Sequence, residues 1–310
     1  MKNVLVISYS QTGQLHDILD SLLAPLAQAP DVRVTRYTLR PQRAYPYPWP
    51  KDEFFDVFPE SALGIPDVLE PLDPAILQTD YDLVILGYQV WFLSPSIPFN
   101  SFLLSEEGKR ILRGKPVMTV IGCRNMWFTA QEKVKRLLLQ ADARLVGNAV
   151  FVDRHVNHVS LVTIVRWLIG GKTDRYLGLF PKPGVSDKDI REASKFAEPI
   201  LEHLRSGGFE DLQASLLARR AVMVRPLLAF IDKRGSFIFS KFSKKIRARG
   251  EPGDPARRPL LRFFYYYLLF ALWVIAPIVS LLFLIVHLPF LPWVNREKRY
   301  LQSVRYKGRL

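Results

Sequence analysis

Directly after the apolar run Val4-Leu5-Val6-Ile7 the chain reads Ser8-Tyr9-Ser10-Gln11-Thr12-Gly13-Gln14-Leu15. A strand running into a hydroxyl- and glycine-rich turn that opens a helix aims several backbone N–H groups and side-chain hydroxyls at one spot. That spot also lies at the positive end of the helix dipole, which suits a phosphate. The spacing is neither the dinucleotide G-x-G-x-x-G nor the nucleoside-triphosphate G-x-x-x-x-G-K-[ST]. It offers hydroxyls and no lysine, as a phosphate monoester held without a counter-cation requires. The plainer reading is an ordinary strand-to-helix turn with Ser10 or Thr12 as N-cap.

Two more loops follow apolar, strand-like runs. Tyr88-Gln89-Val90-Trp91-Phe92-Leu93 ends the run 82–88, and Gly122-Cys123-Arg124-Asn125-Met126-Trp127 ends the run 116–121. Runs this uniformly apolar belong to strands covered on both faces. Strands are expected at 4–9, 32–37, 82–88, 116–121 and 145–152, and helices at 17–26, 131–139 and 186–204. Alternation of strand and helix predicts an α/β fold with a doubly wound parallel sheet of these five strands. Ligands of such sheets sit at the carboxyl ends of the strands, where all three loops fall.

Charge divides the chain. Residues 1–208 carry a net charge of +1 and residues 209–310 carry +13. The first stretch reads as a neutral globular domain with inserts at about 40–71 and 153–185. The aromatic density of the first, Tyr45-Pro46-Tyr47-Pro48-Trp49-Pro50 and Glu53-Phe54-Phe55-Asp56-Val57-Phe58-Pro59-Glu60, argues for a packed cover over a site rather than disorder. Cys123 is the lone cysteine, so a reducing compartment is expected. The apolar run at the amino terminus is too short for a signal peptide.

These loops resemble the flavodoxin-like superfamily, in particular its FMN-binding, quinone-reductase-like branch, which implies a five-stranded sheet in the order 2-1-3-4-5. The resemblance implies that Ser10, Gln11, Thr12, Gly13, Gln14 and Leu15 wrap the FMN phosphate. Leu15 stands where flavodoxins proper carry Thr, which moves the match away from small electron carriers. It further implies that Gln89, Val90, Trp91 and Phe92 flank the isoalloxazine ring, with Trp91 against it. Gly122, Cys123, Arg124, Asn125 and Trp127 would read the ring's polar edge, Arg124 steadying negative charge there.

A narrower resemblance rests on GCRNMW followed by Thr129-Ala130-Gln131-Glu132-Lys133-Val134, on FFDVFPE and on the hydrophobic carboxyl-terminal stretch. These are similar to the dialkylresorcinol condensing enzymes, which accompany ketosynthases. The resemblance implies an aromatase oxidising a 2,5-dialkylcyclohexane-1,3-dione to a dialkylresorcinol, with a ketosynthase of the same route as a partner. Histidine exchanges protons near neutral pH, so His155 and His158 are the candidate bases, with Tyr176 a third. An NAD(P)H- or quinone-linked flavin reductase and a membrane-tethered electron carrier remain as alternatives. No metal and no nucleic acid is expected.

Residues 263–294 form 32 residues without a formal charge, interrupted by Pro277 and closed by Pro289 and Pro292. As one helix they would be roughly 48 Å long, beyond a hydrocarbon core of about 30 Å. Basic residues flank both ends, Arg257, Arg258 and Arg262 before and Arg296, Lys298, Arg299, Arg305, Lys307 and Arg309 after. Both flanks are therefore expected on the cytosolic side of the cytoplasmic membrane. A re-entrant hairpin hinged at Pro277 is preferred to a single crossing, with a buried soluble helical pair third. Residues 209–262 read as a basic, interfacial amphipathic segment facing an anionic membrane surface, and 295–310 as a basic tail. That placement suits a lipid-like substrate.

Overall fold

The computed structural model describes residues 1–287 and 291–306; Pro289, Lys307 and Arg309 of the expectations above lie outside the described residues. Among the described residues there are six strands: β1 (Lys2–Ser8), β2 (Val32–Thr38), β3 (Leu83–Trp91), β4 (Ser94–Pro95), β5 (Pro116–Cys123) and β6 (Arg144–Val152). Five pair in parallel in the order β2-β1-β3-β5-β6, and the two-residue β4 hooks back antiparallel onto the end of β3. Counted alone, the five long strands have the expected order 2-1-3-4-5. The fold is flavodoxin-like.

The central strands are largely apolar because helices cover both faces. Val84, Ile85, Val117, Met118, Val120 and Ile121 are fully buried. The helix Gln14–Gln28 presents Leu15, Ile18, Leu19, Leu22, Leu23 and Leu26 at helical spacing to one face. It sits so close to β3 that a Cβ on Gly87 would lie 2.9 Å from Leu19. The helix Phe128–Gln140 covers the other face through Ala130, Val134 and Leu138. The expected helix 186–204 is broken by a 3₁₀ turn at Glu192–Phe196 between Asp187–Arg191 and Ala197–Ser206.

The charge step at 208 does not mark where the globular body ends. Leu212 and Leu216 of the helix Leu212–Ala218 are fully buried against β6, near Gly147. Gln213 accepts the Asn148 N–H at 2.6 Å, and Val150 donates to the Ala221 carbonyl. This stretch completes the core rather than lying at an interface. The helix Pro226–Arg247 follows and packs against the first insert, which folds as two short helices, Lys51–Asp56 and Phe58–Leu63.

Nor does the apolar segment hinge at Pro277. Helix runs from Arg258 to His287 through one π turn, Ala271–Ile275. Ala276 N–H reaches back to the Ala271 carbonyl, five residues away. In that register the next donor would be Pro277, which has none. The Leu272 carbonyl left over accepts instead from His158 Nε2 at 3.1 Å, with Trp273 packed on the imidazole. The helix start is bolted down by the buried Arg257, whose Nη2 donates to Glu60 Oε2 at 2.9 Å, and by Phe264 stacked on Phe58 at 3.8 Å. Past the helix the helical chain Leu291–Gln302 returns to the body, where Tyr300 donates to Glu132 at 2.7 Å and Gln302 to the Val222 carbonyl at 3.1 Å.

Candidate functional site

The three loops converge at the carboxyl ends of β1, β3 and β5, on the switch point where strand order reverses. One cavity of about 610 Å³ opens there, within the ~300–1,000 Å³ usual for small-molecule sites. Gln11, Thr12, Gln14 and Leu15 line it from the first loop, Gln89 to Leu93 from the second, and Gly122 to Met126 from the third.

The first loop is built as an anion cradle. Gly13 caps the helix Gln14–Gln28 at φ 84°, a left-handed conformation that favours glycine, and the space where a Cβ would stand is open. In the first turn the His16 and Asp17 N–H groups reach the Gly13 carbonyl, which leaves those of Gln14 and Leu15 without an acceptor among the described residues. Ser10 Oγ is buried and has no hydrogen-bond partner among the described residues. An orphaned hydroxyl beside free helix-terminal amides is the signature of a missing acceptor. The cradle fits the phosphate of FMN.

The two glutamines of the loop do something else. Gln11 Nε2 donates to the Tyr45 and Pro46 carbonyls, while its Oε1 accepts from Tyr9 Oη. Gln14 Nε2 donates to the Val185 carbonyl at 3.1 Å and its Oε1 accepts Val185 N–H at 2.8 Å. One glutamine thus fastens each insert to the cradle, and their side chains are not the expected phosphate wrap. Gln89 Oε1 accepts the Gln11 N–H at 2.7 Å, tying the second loop to the first.

The second loop turns through Phe92 (φ 46°) and Leu93 (φ 60°), both left-handed and neither glycine. Bulky residues there cost free energy, and such turns persist only when their surroundings fix them. The surroundings are aromatic. Phe92 lies 4.9 Å from Phe54 and 5.2 Å from Phe58, and Trp91 is boxed edge-on by Tyr9, Tyr45 and Trp49 at 5.3–5.9 Å. The first insert is the packed cover that its aromatics foretold. Lys133 crosses beneath, donating to the Ala62 carbonyl and Ser94 Oγ, and burial lowers its pKa to about 8.

In the third loop Arg124 donates to Asn157 at 3.0 Å, and Asn125 donates to the same Oδ1 at 2.9 Å. Burial lowers the Arg124 pKa to about 10 while the nearby Asp153 charge opposes the shift. Asn125 Oδ1 is a second buried acceptor without a partner among the described residues. Burial pushes the Cys123 thiol up, away from the thiolate form. Trp127 does not reach the cavity; it is buried in the core beside Phe128, at the cap of the helix Phe128–Gln140.

None of the three expected bases lines the cavity. His155 Nδ1 meets Asp153 Oδ1 at 2.7 Å, and Asp153 also accepts from Ser160 Oγ, a network that fixes the chain leaving β6. His158 is committed to Leu272. Tyr176 is exposed, with the Arg166 guanidinium 4.9 Å above its ring.

The far wall was not read from sequence. Phe230, Ile231, Arg234 and Ile238 line it from the helix Pro226–Arg247, and Leu268, Ala271, Ile275 and Val279 from the apolar helix. Holding that wall is Asp232, fully buried, whose two oxygens accept Phe128 N–H and Thr129 N–H at 3.1 Å each, and Thr129 Oγ1 as well. It caps the helix Phe128–Gln140 across 103 residues of sequence. Burial pushes its pKa up to about 6 against those hydrogen bonds. The available signal was that Asp232 is the sole acidic residue between Asp211 and Glu251.

No family model and no curated protein matches this sequence. Among solved structures the chain is similar to an FMN-complexed flavoprotein from Lactobacillus acidophilus, at 16% identity over 48% of this chain and 93% of that one, with a TM-score of 0.36. It is also similar to flavodoxin 1 from Bacillus cereus, at 13% over 65% and 99%, TM-score 0.36. A third is RosB with a bound formylriboflavin phosphate intermediate, at 11% over 73% and 92%, TM-score 0.36. The strand order, rather than these values, carries the fold assignment.

Proposed function

We propose that this chain is an FMN-dependent oxidoreductase at a membrane surface, and that its reaction is the aromatisation of a 2,5-dialkylcyclohexane-1,3-dione to a dialkylresorcinol. The observation that carries this reading is one continuous cavity, with the three loops at one end and apolar helix faces at the other. Bound FMN would supply two-electron chemistry, accepting the equivalent of a hydride from the dione ring while a proton is lost and the ring tautomerises to the diol.

The chain's own residues do the rest. Ser10, Thr12 and the amides around Gly13 hold the phosphate, and Trp91 stands at the edge of the ring site. A 1,3-dione enolises readily, and the Arg124 guanidinium lies where it would steady the resulting oxyanion in a poorly hydrated site. Ile275, Leu268 and Ile238 offer alkyl chains an apolar wall and exclude water from the carbonyls. A ketosynthase of the same route is the expected source of the dione, and the exposed basic residues would hold the enzyme on the cytosolic face of an anionic membrane. The apolar cavity would also admit a quinone, so an NAD(P)H- or quinone-linked reductase is the second reading.

Protein purified in detergent should be yellow or take up FMN, and anaerobic mixing with the dione should bleach it. A colourless protein that takes up no FMN overturns both readings. Bleaching by NAD(P)H but not by the dione selects the reductase.

A further inference from the structure

The apolar helix 258–287 has two different faces. Tyr267, Leu268, Leu272, Ile275 and Val279 look into the cavity. Phe263, Tyr266, Phe270, Trp273, Leu281 and Ile285 are each more than half exposed and recur at helical spacing along the other side. Single exposed apolar residues need no explanation, but a stripe running the length of a helix does. The stripe ends in exposed cations, with Arg258 and Arg262 at its start and Arg296, Lys298 and Arg299 beyond its finish.

This helix does not have the geometry of a crossing. It would be roughly 45 Å long, and it touches the globular body at its start, middle and end through Phe264–Phe58, Leu272–His158 and Phe283–Phe230. The returning helix Leu291–Gln302 is only about 18 Å long, too short to recross about 30 Å of hydrocarbon. Yet Tyr300 and Gln302 are hydrogen-bonded to the same body.

We infer that the helix 258–287 lies in the plane of one anionic leaflet, stripe down, and that the substrate enters the cavity from that leaflet past the inner face of residues 268–279. The occupant of the stripe is lipid because the apolar face is bounded by cations at both ends, the pattern of a helix seated at an anionic interface. The entry route rests on the FMN-oxidoreductase reading; the in-plane placement does not. The helix is at once the membrane anchor and the cavity wall, so a dione with two alkyl chains passes from lipid to active site without crossing water. Arg234 at the rim, exposed and contributed by the neighbouring helix, would meet the polar head as it arrives.

The test uses the full chain with FMN, added to preformed vesicles of anionic or zwitterionic lipid brominated at mid-chain. Tryptophan fluorescence should be quenched in anionic vesicles, less so in zwitterionic ones, and Trp273→Phe should remove most of the quenching. Phe270→Glu with Leu281→Glu, both on the outer stripe, should cut vesicle partitioning by ~100-fold, about tenfold for each residue. The pair should slow bleaching by a long-chain dione dissolved in vesicles while sparing a short-chain, water-soluble one. Absence of quenching, with a second copy of the chain covering the stripe by sedimentation, overturns the in-plane placement. Protection of cysteines placed at 258 or 298 from an impermeant maleimide overturns it in favour of a crossing. Equal slowing of both diones overturns lateral entry. No bleaching by either dione defeats the reaction assigned above and leaves the quenching result to judge the placement alone.

Discussion

His158 gives the Leu272 carbonyl the hydrogen bond that Pro277 cannot. The proline removes a donor, the π turn before it exposes an acceptor, and a histidine from the second insert fills the gap at 3.1 Å. Irregular helical turns of this kind concentrate at functional sites, and this one faces the cavity.

Replacing His158 by Ala should therefore loosen the apolar helix by about 0.5–1.5 kcal/mol, the net worth of one hydrogen bond. Pro277→Ala restores a backbone donor, so the double variant should lose less than the sum of the singles. A double-mutant cycle on thermal unfolding in detergent checks this. Additive losses would show that the two residues do not act on the same carbonyl.

Ser10→Ala should separate cofactor binding from folding. The hydroxyl has no partner among the described residues, so FMN-free protein should unfold at an unchanged or slightly higher temperature. FMN affinity should fall about tenfold, as expected for one lost hydrogen bond to a charged group. Titration of the FMN-free chain with flavin measures both. Loss of stability without loss of affinity would return Ser10 to the role of an ordinary turn residue.

Asp232 predicts a pH dependence. Its carboxyl titrates near pH 6 in the folded chain against 3.8 as the ordinary value. Between those pH values the folded state holds the proton that the unfolded state releases. Its contribution to stability thus falls as pH rises from about 4 to about 6 and is constant above. Chemical unfolding across that range should show the slope in the native chain and not in Asp232→Ala. The variant should also lose about 0.5–2 kcal/mol at neutral pH, because Phe128 and Thr129 lose their cap.

Glu60→Ala should cost about 1.5–3 kcal/mol, the worth of a hydrogen bond to a charged group, because the buried Arg257 guanidinium loses Glu60 at 2.9 Å and, of its two carboxylate partners, keeps only Asp56 at 3.5 Å. Arg257→Met in the same chain should recover much of that loss, since an apolar pair of similar volume carries no desolvation penalty. Unfolding midpoints of the single and double variants decide it. No recovery would mean that the Arg257 contacts with the Asp56 carbonyl and carboxylate matter more than the pair with Glu60.

Gly184→Ala should detach the second insert. At φ 83° a Cβ would lie 2.5 Å from Gln14 Oε1 and 2.7 Å from the Trp167 ring. Limited proteolysis between residues 171 and 185 should quicken while the sheet remains intact by circular dichroism. Unchanged cleavage would show that the Gln14–Val185 pairing does not hold the insert.

The sequence determined whatever local pattern governs. A strand covered on both faces is largely apolar, so Leu83–Val84–Ile85–Leu86 and Val117–Met118–Thr119–Val120 were legible. So was the turn at Gly13, because few residues other than glycine tolerate its backbone. Strand-and-helix alternation implied a parallel sheet, the family resemblance supplied its order, and together they brought three loops to one edge. Composition could not tell which partner an amphipathic helix faces. The basic segment looked interfacial, yet Leu212, Leu216 and Asp232 are buried, because burial is set by what lies opposite in space. His155, His158 and Tyr176 have the right chemistry for a base, but their side chains point to Asp153, Leu272 and Arg166. The apolar run was long enough to cross a membrane, and length was all that sequence supplied. Only the tertiary structure shows both its ends fastened to one body, with one face on the cavity and the other bare.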